Sequence, residues 1–159
     1  MRMKALITGA SSGIGKEMAK VLASRGWDLI VVARREQLLL DLKAELDCDV
    51  QVCVCDLSQV SQVKGLCKAL KDESIELVIN NAGFGDLGFF DETDEQKEIN
   101  MIQTNITALH ILTKYFVKRF KQQNHGYILN VASAAAFTYG PLMSVYYSTK
   151  HFLYSQTLA

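Results

Sequence analysis

Short β-branched and aliphatic runs alternate with segments of helical period from one end of the chain to the other, and no other feature restricts its fold so severely. Strict alternation is the signature of a parallel sheet covered by helices, because parallel neighbours need a crossover long enough to hold a helix. The strands read as Lys4–Thr8, Leu29–Ala33, Val50–Cys55, Leu77–Asn80 and Tyr127–Val131. They are mostly continuous apolar runs, which suits strands buried on both faces, and no period-two hairpin competes.

Between the strands, Ile14, Met18, Val21 and Leu22 recur at helical spacing, as do Leu38, Leu39, Leu42 and Leu46. Each set predicts one apolar stripe lying on the sheet. From about Glu98 to Phe120, Ile99, Ile102, Ile106 and Leu109 predict one long helix with a buried face, and a further helix begins near Ser144 and still runs at Ala159. Pro141 is the sole proline, and there is no repeat or low-complexity tract, so residues 1–159 read as a single domain. With 49% hydrophobic and 21% charged residues the chain can bury a sizeable core. The stretch Gly83–Gly88 reads as a mobile loop after the fourth strand.

Seventeen basic residues balance seventeen acidic ones, which leaves no overall field to draw in nucleic acid or an anionic membrane. No apolar run reaches membrane-spanning length, and the first strand starts too soon after Met1 for a signal segment. Cys48, Cys53, Cys55 and Cys67 form no CxxC pair, and His110, His125 and His151 form no cluster with them or with carboxylates. These features predict a cytoplasmic protein with reduced thiols and no metal. Cys53 and Cys55, two apart on a strand, face one side and fill core space.

Directly after the first strand stands Thr8-Gly9-Ala10-Ser11-Ser12-Gly13-Ile14-Gly15, running into the first helix. Side chains there would hold the backbone off a pyrophosphate, while the helix N-terminus offers free N–H groups and positive partial charge. The unit therefore reads as an anion site. The second strand ends in Arg34-Arg35 where an acid would grip a ribose hydroxyl and repel an added phosphate. A guanidinium there suits a 2′-phosphate, so NADP(H) is the expected cofactor, with Arg34 as its main anchor. Arg35 serves equally well as a solvated residue opening a surface helix.

Tyr146 and Lys150 are four apart and share a helical face. A phenol with a reference pKa of ~10 is mostly neutral at physiological pH, and a neighbouring cation favours its ionised form. Tyr146 is therefore suited to exchanging a proton with a substrate oxygen.

The glycine spacing, Asn80-Asn81-Ala82-Gly83 after the fourth strand, and Tyr146-Tyr147-Ser148-Thr149-Lys150 together resemble the short-chain dehydrogenase/reductase family over essentially the whole chain. That resemblance implies a Rossmann-type doubly wound α/β/α sandwich with the five strands ordered 3-2-1-4-5. It implies a catalytic tetrad of Asn105, Ser133, Tyr146 and Lys150. Ser133 would bind the substrate oxygen, Lys150 would hold nicotinamide-ribose hydroxyls, and Asn105 would hold water in a proton relay. It implies cofactor contacts from Gly9, Ser11, Ser12, Gly13, Ile14, Gly15, Asn81, Ala82 and Gly83, and from Asp56 and Leu57 at the adenine. Asp56 followed by Ser58 is equally a helix-start signal.

The function implied is hydride transfer between nicotinamide and a small carbonyl or alcohol substrate, in a homodimer or homotetramer. Family members usually run to about 250 residues, which implies that this chain is cut short and lacks later strands. A nucleotide-binding regulator without turnover is the competing reading, and the extended branch of epimerases and dehydratases would carry G-x-x-G-x-x-G, which is absent. Phe89, Phe90, Phe137 and Tyr139 either border an apolar substrate site or belong to the core.

Overall fold

The computed structural model describes residues 2–159. Five strands, β1 (Lys4–Thr8), β2 (Asp28–Ala33), β3 (Val50–Val54), β4 (Leu77–Asn80) and β5 (Tyr127–Asn130), form one parallel sheet in the order β3-β2-β1-β4-β5. The helices are α1 (Gly13–Ser24), α2 (Glu36–Glu45), α3 (Val60–Ala69), α4 (Glu95–Ile102), α5 (Leu109–Gln123) and α6 (Ser144–Leu158). This is the expected Rossmann-type fold and strand order. The bounds differ by a residue at β2, β3 and β5, where the ladder pairs start or stop.

Successive strand side chains point to opposite faces, so one strand feeds two cores. Leu6, Ile30, Val32 and Val78 meet Val63 and Leu66 of α3 and Leu112, Phe116 and Phe120 of α5. Ala5, Ile7, Leu29, Val31 and Ile79 meet Ala19 of α1 and Leu39 and Leu42 of α2. Full burial of one large aliphatic or aromatic side chain of this kind stabilises by about 1.5–3 kcal/mol. Cys55 is buried, and Cys53 packs against the same cluster, as their spacing predicts.

The apolar stripes are narrower than the sequence suggests. In α1, Gly15 and Ala19 are buried, while Ile14 in the first turn is 61% exposed and Val21 is exposed too. In α2, Leu39 and Leu42 are buried but Leu38 is exposed, because a ten-residue helix on a sheet covers only one side of itself.

The long predicted helix is broken in the middle. Asp94 caps α4, its carboxylate accepting from the Lys97 N–H at 2.6 Å, so the helix begins earlier than Glu98. Between α4 and α5, Gln103–Ala108 forms a π-helical segment. Its extra residue rotates the whole of α5 by about 100° relative to a regular continuation of α4. Ile99 and Ile102 are exposed, and the buried stripe runs instead through Met101, Asn105, Ala108, Leu109, Leu112 and Phe116. Helix α5 ends at Asn124, which takes the left-handed conformation (φ 54°) that asparagine tolerates.

Edge strand β5 also departs from two-sided burial, with Tyr127 and Leu129 exposed on one face. Helix α6 packs against the 3₁₀ turn Ala134–Ala136, the π segment and α4, and this brings Tyr146 and Lys150 over the carboxyl ends of the strands.

Candidate functional site

The turn after β1 is held by its own residues. Gly9 has φ +69°, and a Cβ on it would fall 2.8 Å from Ala82 Cα. A Cβ on Gly15 would fall 2.4 Å from the Gly9 carbonyl oxygen and 2.5 Å from Asn81 Nδ2. Gly15 is thus the point where α1 meets the turn, and it lies behind the site. Gly13 is different: a side chain there would meet no protein atom within 4 Å, so its φ of +56° and clearance for a ligand favour glycine.

Asn81 binds this turn to β4, its amide donating to the carbonyls of Thr8 at 3.0 Å and Gly9 at 3.3 Å. The Thr8 hydroxyl accepts from the N–H groups of Asn81 (3.0 Å) and Ala82 (3.1 Å) and donates to the Ile79 carbonyl at 3.3 Å. Asn80 reaches the other way, donating to Asn130 Oδ1 at 2.9 Å and Thr113 Oγ1 at 3.2 Å. The Asn80-Asn81-Ala82-Gly83 motif therefore fastens β1, β4, β5 and α5 together.

A cleft of about 610 Å³ opens over these turns. Gly9, Ser11, Ser12, Gly13 and Ile14 line one end, with Arg34 beside them; Asp56 and Leu57 line the adjoining wall. Asn81, Ala82 and Gly83 form the floor, and Tyr146 and Lys150 close the far end. Three of the expected residues, Gly15, Asn105 and Ser133, lie outside the lining.

Arg35, left open between two roles by the sequence, also lines the cleft. Its guanidinium donates to the hydroxyls of Ser11 at 3.0 Å and Ser12 at 2.8 Å. The Asp56 carboxylate accepts from the Ser58 N–H at 3.0 Å and its hydroxyl at 2.9 Å in a turn ahead of α3, whose N-cap is Gln59, so Asp56 does not start the helix and instead lines the wall. Ala33, Phe84, Thr104, Val131 and Ala132 also line the cleft and were not assigned to it from sequence, and so does Cys55, which the sequence reading gave to the core. Thr104 sits in the π segment, which no periodicity argument foresees. Burial pushes the Cys55 thiol up to about 11, which leaves it unreactive at neutral pH.

Lys150 is 6% exposed, its ammonium donating to the Val131 carbonyl at 3.1 Å and lying 5.8 Å from the centre of the Tyr146 ring. Burial pushes the Lys150 pKa down. A buried cation of this kind gains from a negative charge developing nearby. Asn105 has both amide hydrogens engaged, one with the Phe84 carbonyl at 2.8 Å and one with Thr149 Oγ1 at 3.1 Å, and its oxygen accepts from the Phe84 N–H at 3.1 Å. Its side chain clamps the loop to α6. Ser133 caps the 3₁₀ turn, its hydroxyl oxygen accepting from the Ala135 N–H at 3.2 Å, which leaves its own proton free to donate.

The residues present fit a dinucleotide. The open space at Gly13, the free first-turn N–H groups of α1 and the two arginines suit phosphates, and the cleft volume is that of a cofactor site. Among the described residues, no three His, Cys, Asp or Glu side chains converge as a metal site, and no helix is long and apolar enough to cross a membrane.

A doubly wound parallel sheet with a glycine turn and its cleft at the carboxyl ends of the strands defines the Rossmann class of protein. Within that class the chain belongs to the short chain dehydrogenase family, whose pattern it matches over residues 3–159. It is 31% identical over 157 residues to very-long-chain 3-oxoacyl-CoA reductase-A of Danio rerio, an alignment covering 94% of this chain and 49% of that protein. Among solved structures, the bulky-bulky ketone specific alcohol dehydrogenase from Comamonas testosteroni superposes with a TM-score of 0.89 at 36% identity, covering 98% of this chain and 66% of that one. A short-chain dehydrogenase from Sphingobium yanoikuyae in complex with NADPH gives a TM-score of 0.89 at 36% identity, covering 98% and 64%. The chain thus spans about half the length of the curated relative and about two thirds of these structures.

Proposed function

We propose that this chain carries the NADP(H)-binding and catalytic part of an oxidoreductase that interconverts a carbonyl compound and its alcohol. One observation carries the reading: a single cleft has a phosphate-type turn and two arginines at one end and a phenol beside a buried ammonium at the other. The dinucleotide, when bound, supplies or accepts the hydride.

The rest is the work of this chain. Gly9, Gly13 and the N-terminus of α1 hold the pyrophosphate, with Ser11, Ser12 and Ile14 around it, and Arg34 and Arg35 hold the 2′-phosphate. Asp56 and Leu57 border the adenine. Tyr146 gives the substrate oxygen its proton on reduction and takes it back on oxidation. Lys150 favours the phenolate that this leaves, as well as binding ribose hydroxyls. Ser133, its oxygen turned toward Ala135, donates its free proton to the substrate oxygen. Asn105 holds Phe84 and Thr149 in place, and the second lone pair of its amide oxygen is free to accept from a water of the proton relay.

Phe137 and Tyr139 are 66% and 90% exposed, and Phe89 and Phe90 are exposed too, so none of the four is core. Phe137 packs edge-on against Tyr154 and Tyr139 stacks on His151, and all four are placed at the surface to border an apolar substrate. The names of the relatives make ketones and 3-oxoacyl thioesters the first substrates to screen. NADPH oxidation should be followed with such a panel for the wild type and for Tyr146→Phe. Turnover should vanish in the variant while NADPH affinity, read by fluorescence titration, stays within about twofold, since one hydroxyl remote from the phosphates is removed. NADPH binding with no turnover of any carbonyl by the wild type, or full activity in the variant, would overturn the proposal.

A further inference from the structure

We infer that the ion pair between Asp86 and Lys97 is a latch that presses the Gly83–Gly88 loop onto the Tyr146 ring, making Gly85, Asp86 and Lys97 positioning residues for the phenol. The consequence for turnover rests on Tyr146 being the proton carrier. The geometric claim stands without it.

A Cβ built on Gly85 would fall 3.1 Å from Tyr146 Cδ2, 3.2 Å from Tyr146 Cγ and 3.2 Å from Met143 Cε. The loop backbone therefore lies against one side of the ring, in space that a larger residue would take. Lysine Nζ and carboxylate oxygen of the neighbouring pair are 2.5 Å apart, with 17% of the Asp86 side chain and 51% of the Lys97 side chain exposed. The hydrogen bond from Lys97 holds the Asp86 carboxyl below its ordinary pKa.

Two features show that Lys97 stands where it does for the loop rather than for its helix. It is in the first turn of α4, where the positive end of the helix dipole disfavours a cation. Its own N–H is already bound by the capping carboxylate of Asp94, so the helix start needs nothing from its side chain.

The loop has two further moorings, and they bracket the latch. Before it, Phe84 is held on both its N–H and its carbonyl by Asn105. Beyond it, the Gly88 N–H donates to the Leu142 carbonyl at 2.8 Å. Leu142 takes φ +65°, a left-handed conformation that a leucine rarely adopts and keeps only where the surroundings demand it. This strained residue lies four positions before Tyr146, so the loop grips the lead-in to α6 as well as the ring. Between the outer moorings, Lys97 is the side chain by which α4 holds Asp86.

The position of the ring can be read without any turnover, by incorporating 3-fluorotyrosine at position 146 and recording its ¹⁹F resonance and ring-flip rate. Lys97→Met should shift the resonance and speed the flip, Asp86→Asn should do so more weakly, and Lys97→Arg should restore the wild-type signal. Lys71→Met, which removes an exposed pair remote from the loop, should change nothing. Asp86→Asn preserves size and shape and decides the matter should Lys97→Met fail to fold.

In protein that turns over, Lys97→Met should lower kcat by about tenfold to a hundredfold, the scale of a misplacement near 1 Å. The KM for NADPH should hold. An unchanged ¹⁹F signal in the latch variants would overturn the inference. A shifted signal together with full activity in Tyr146→Phe would leave the latch standing and overturn the proton-carrier reading instead.

Discussion

Thr8 offers a measurement of how tightly the two turns at the heart of the site are joined. Its side chain is buried, and its hydroxyl serves three main-chain groups, two as acceptor and one as donor. Thr8→Val removes the hydroxyl with almost no change of shape, so no cavity confuses the result. The three bonds are not equal. The Asn81 N–H and the Ile79 carbonyl also bond each other at 3.1 Å and so keep a partner, whereas the Ala82 N–H loses its acceptor. One stranded donor costs about 1–3 kcal/mol, and the two weakened bonds add some tenths each. The expected loss is about 2–4 kcal/mol, a large part of the 5–15 kcal/mol typical of a domain. With a urea m-value of about 2 kcal/mol/M, the middle of the usual range, the unfolding midpoint should fall by roughly 1–2 M with m unchanged. Thr8→Ser, which keeps the hydroxyl, should retain most of the stability. A valine variant within about 1 kcal/mol of wild type would refute this accounting, as would a serine variant no better than the valine.

Arg35→Ala should weaken NADPH binding by about tenfold to a hundredfold, the worth of a hydrogen bond to a charged group, and leave NADH within about threefold; Arg34→Ala should act in the same sense, and parallel titrations in which both cofactors weaken equally would count against the 2′-phosphate assignment. Glu45, hydrogen-bonded by Lys16 and Lys20, has its pKa lowered from 4.5 to about 2. Because the folded value is the lower one, its contribution is present above 4.5 and is lost as pH falls toward 2. The melting temperature of Glu45→Gln should therefore fall less steeply than that of the wild type across that window, and identical slopes would show that the pair contributes nothing.

The strands and the two turns were legible because their signals are local. A glycine that must take a positive φ, such as Gly9 or Gly13, or an apolar run long enough for one buried strand, carries its meaning in a few residues. The helix faces were less so. Reading Ile99 and Ile102 as buried assumes a constant 100° step through residue 109, and the π segment breaks that step to aim Asn105 at Phe84. Leu38 and Val21 show a second limit: an apolar residue beside a stripe looks the same in sequence as one within it. At the site, the order of residues put arginines at the end of β2, but only the fold shows the Arg35 guanidinium folded back onto Ser11 and Ser12. The clamp role of Asn105 and the cap role of Ser133 likewise depend on partners 21 residues away and two residues away that no spacing rule names.

The π segment also tells how this architecture would respond to a shortened chain. A wide turn holds one residue in reserve, so deleting a single position between 103 and 108 lets the backbone relax into an ordinary α-helix with its ladder of bonds complete. Such a deletion is cheap for the rod yet swings the asparagine away from Phe84 and Thr149. Foldability and clamping are thus separable at this one place, and a lineage that discarded the residue would keep a sound scaffold around a slackened site.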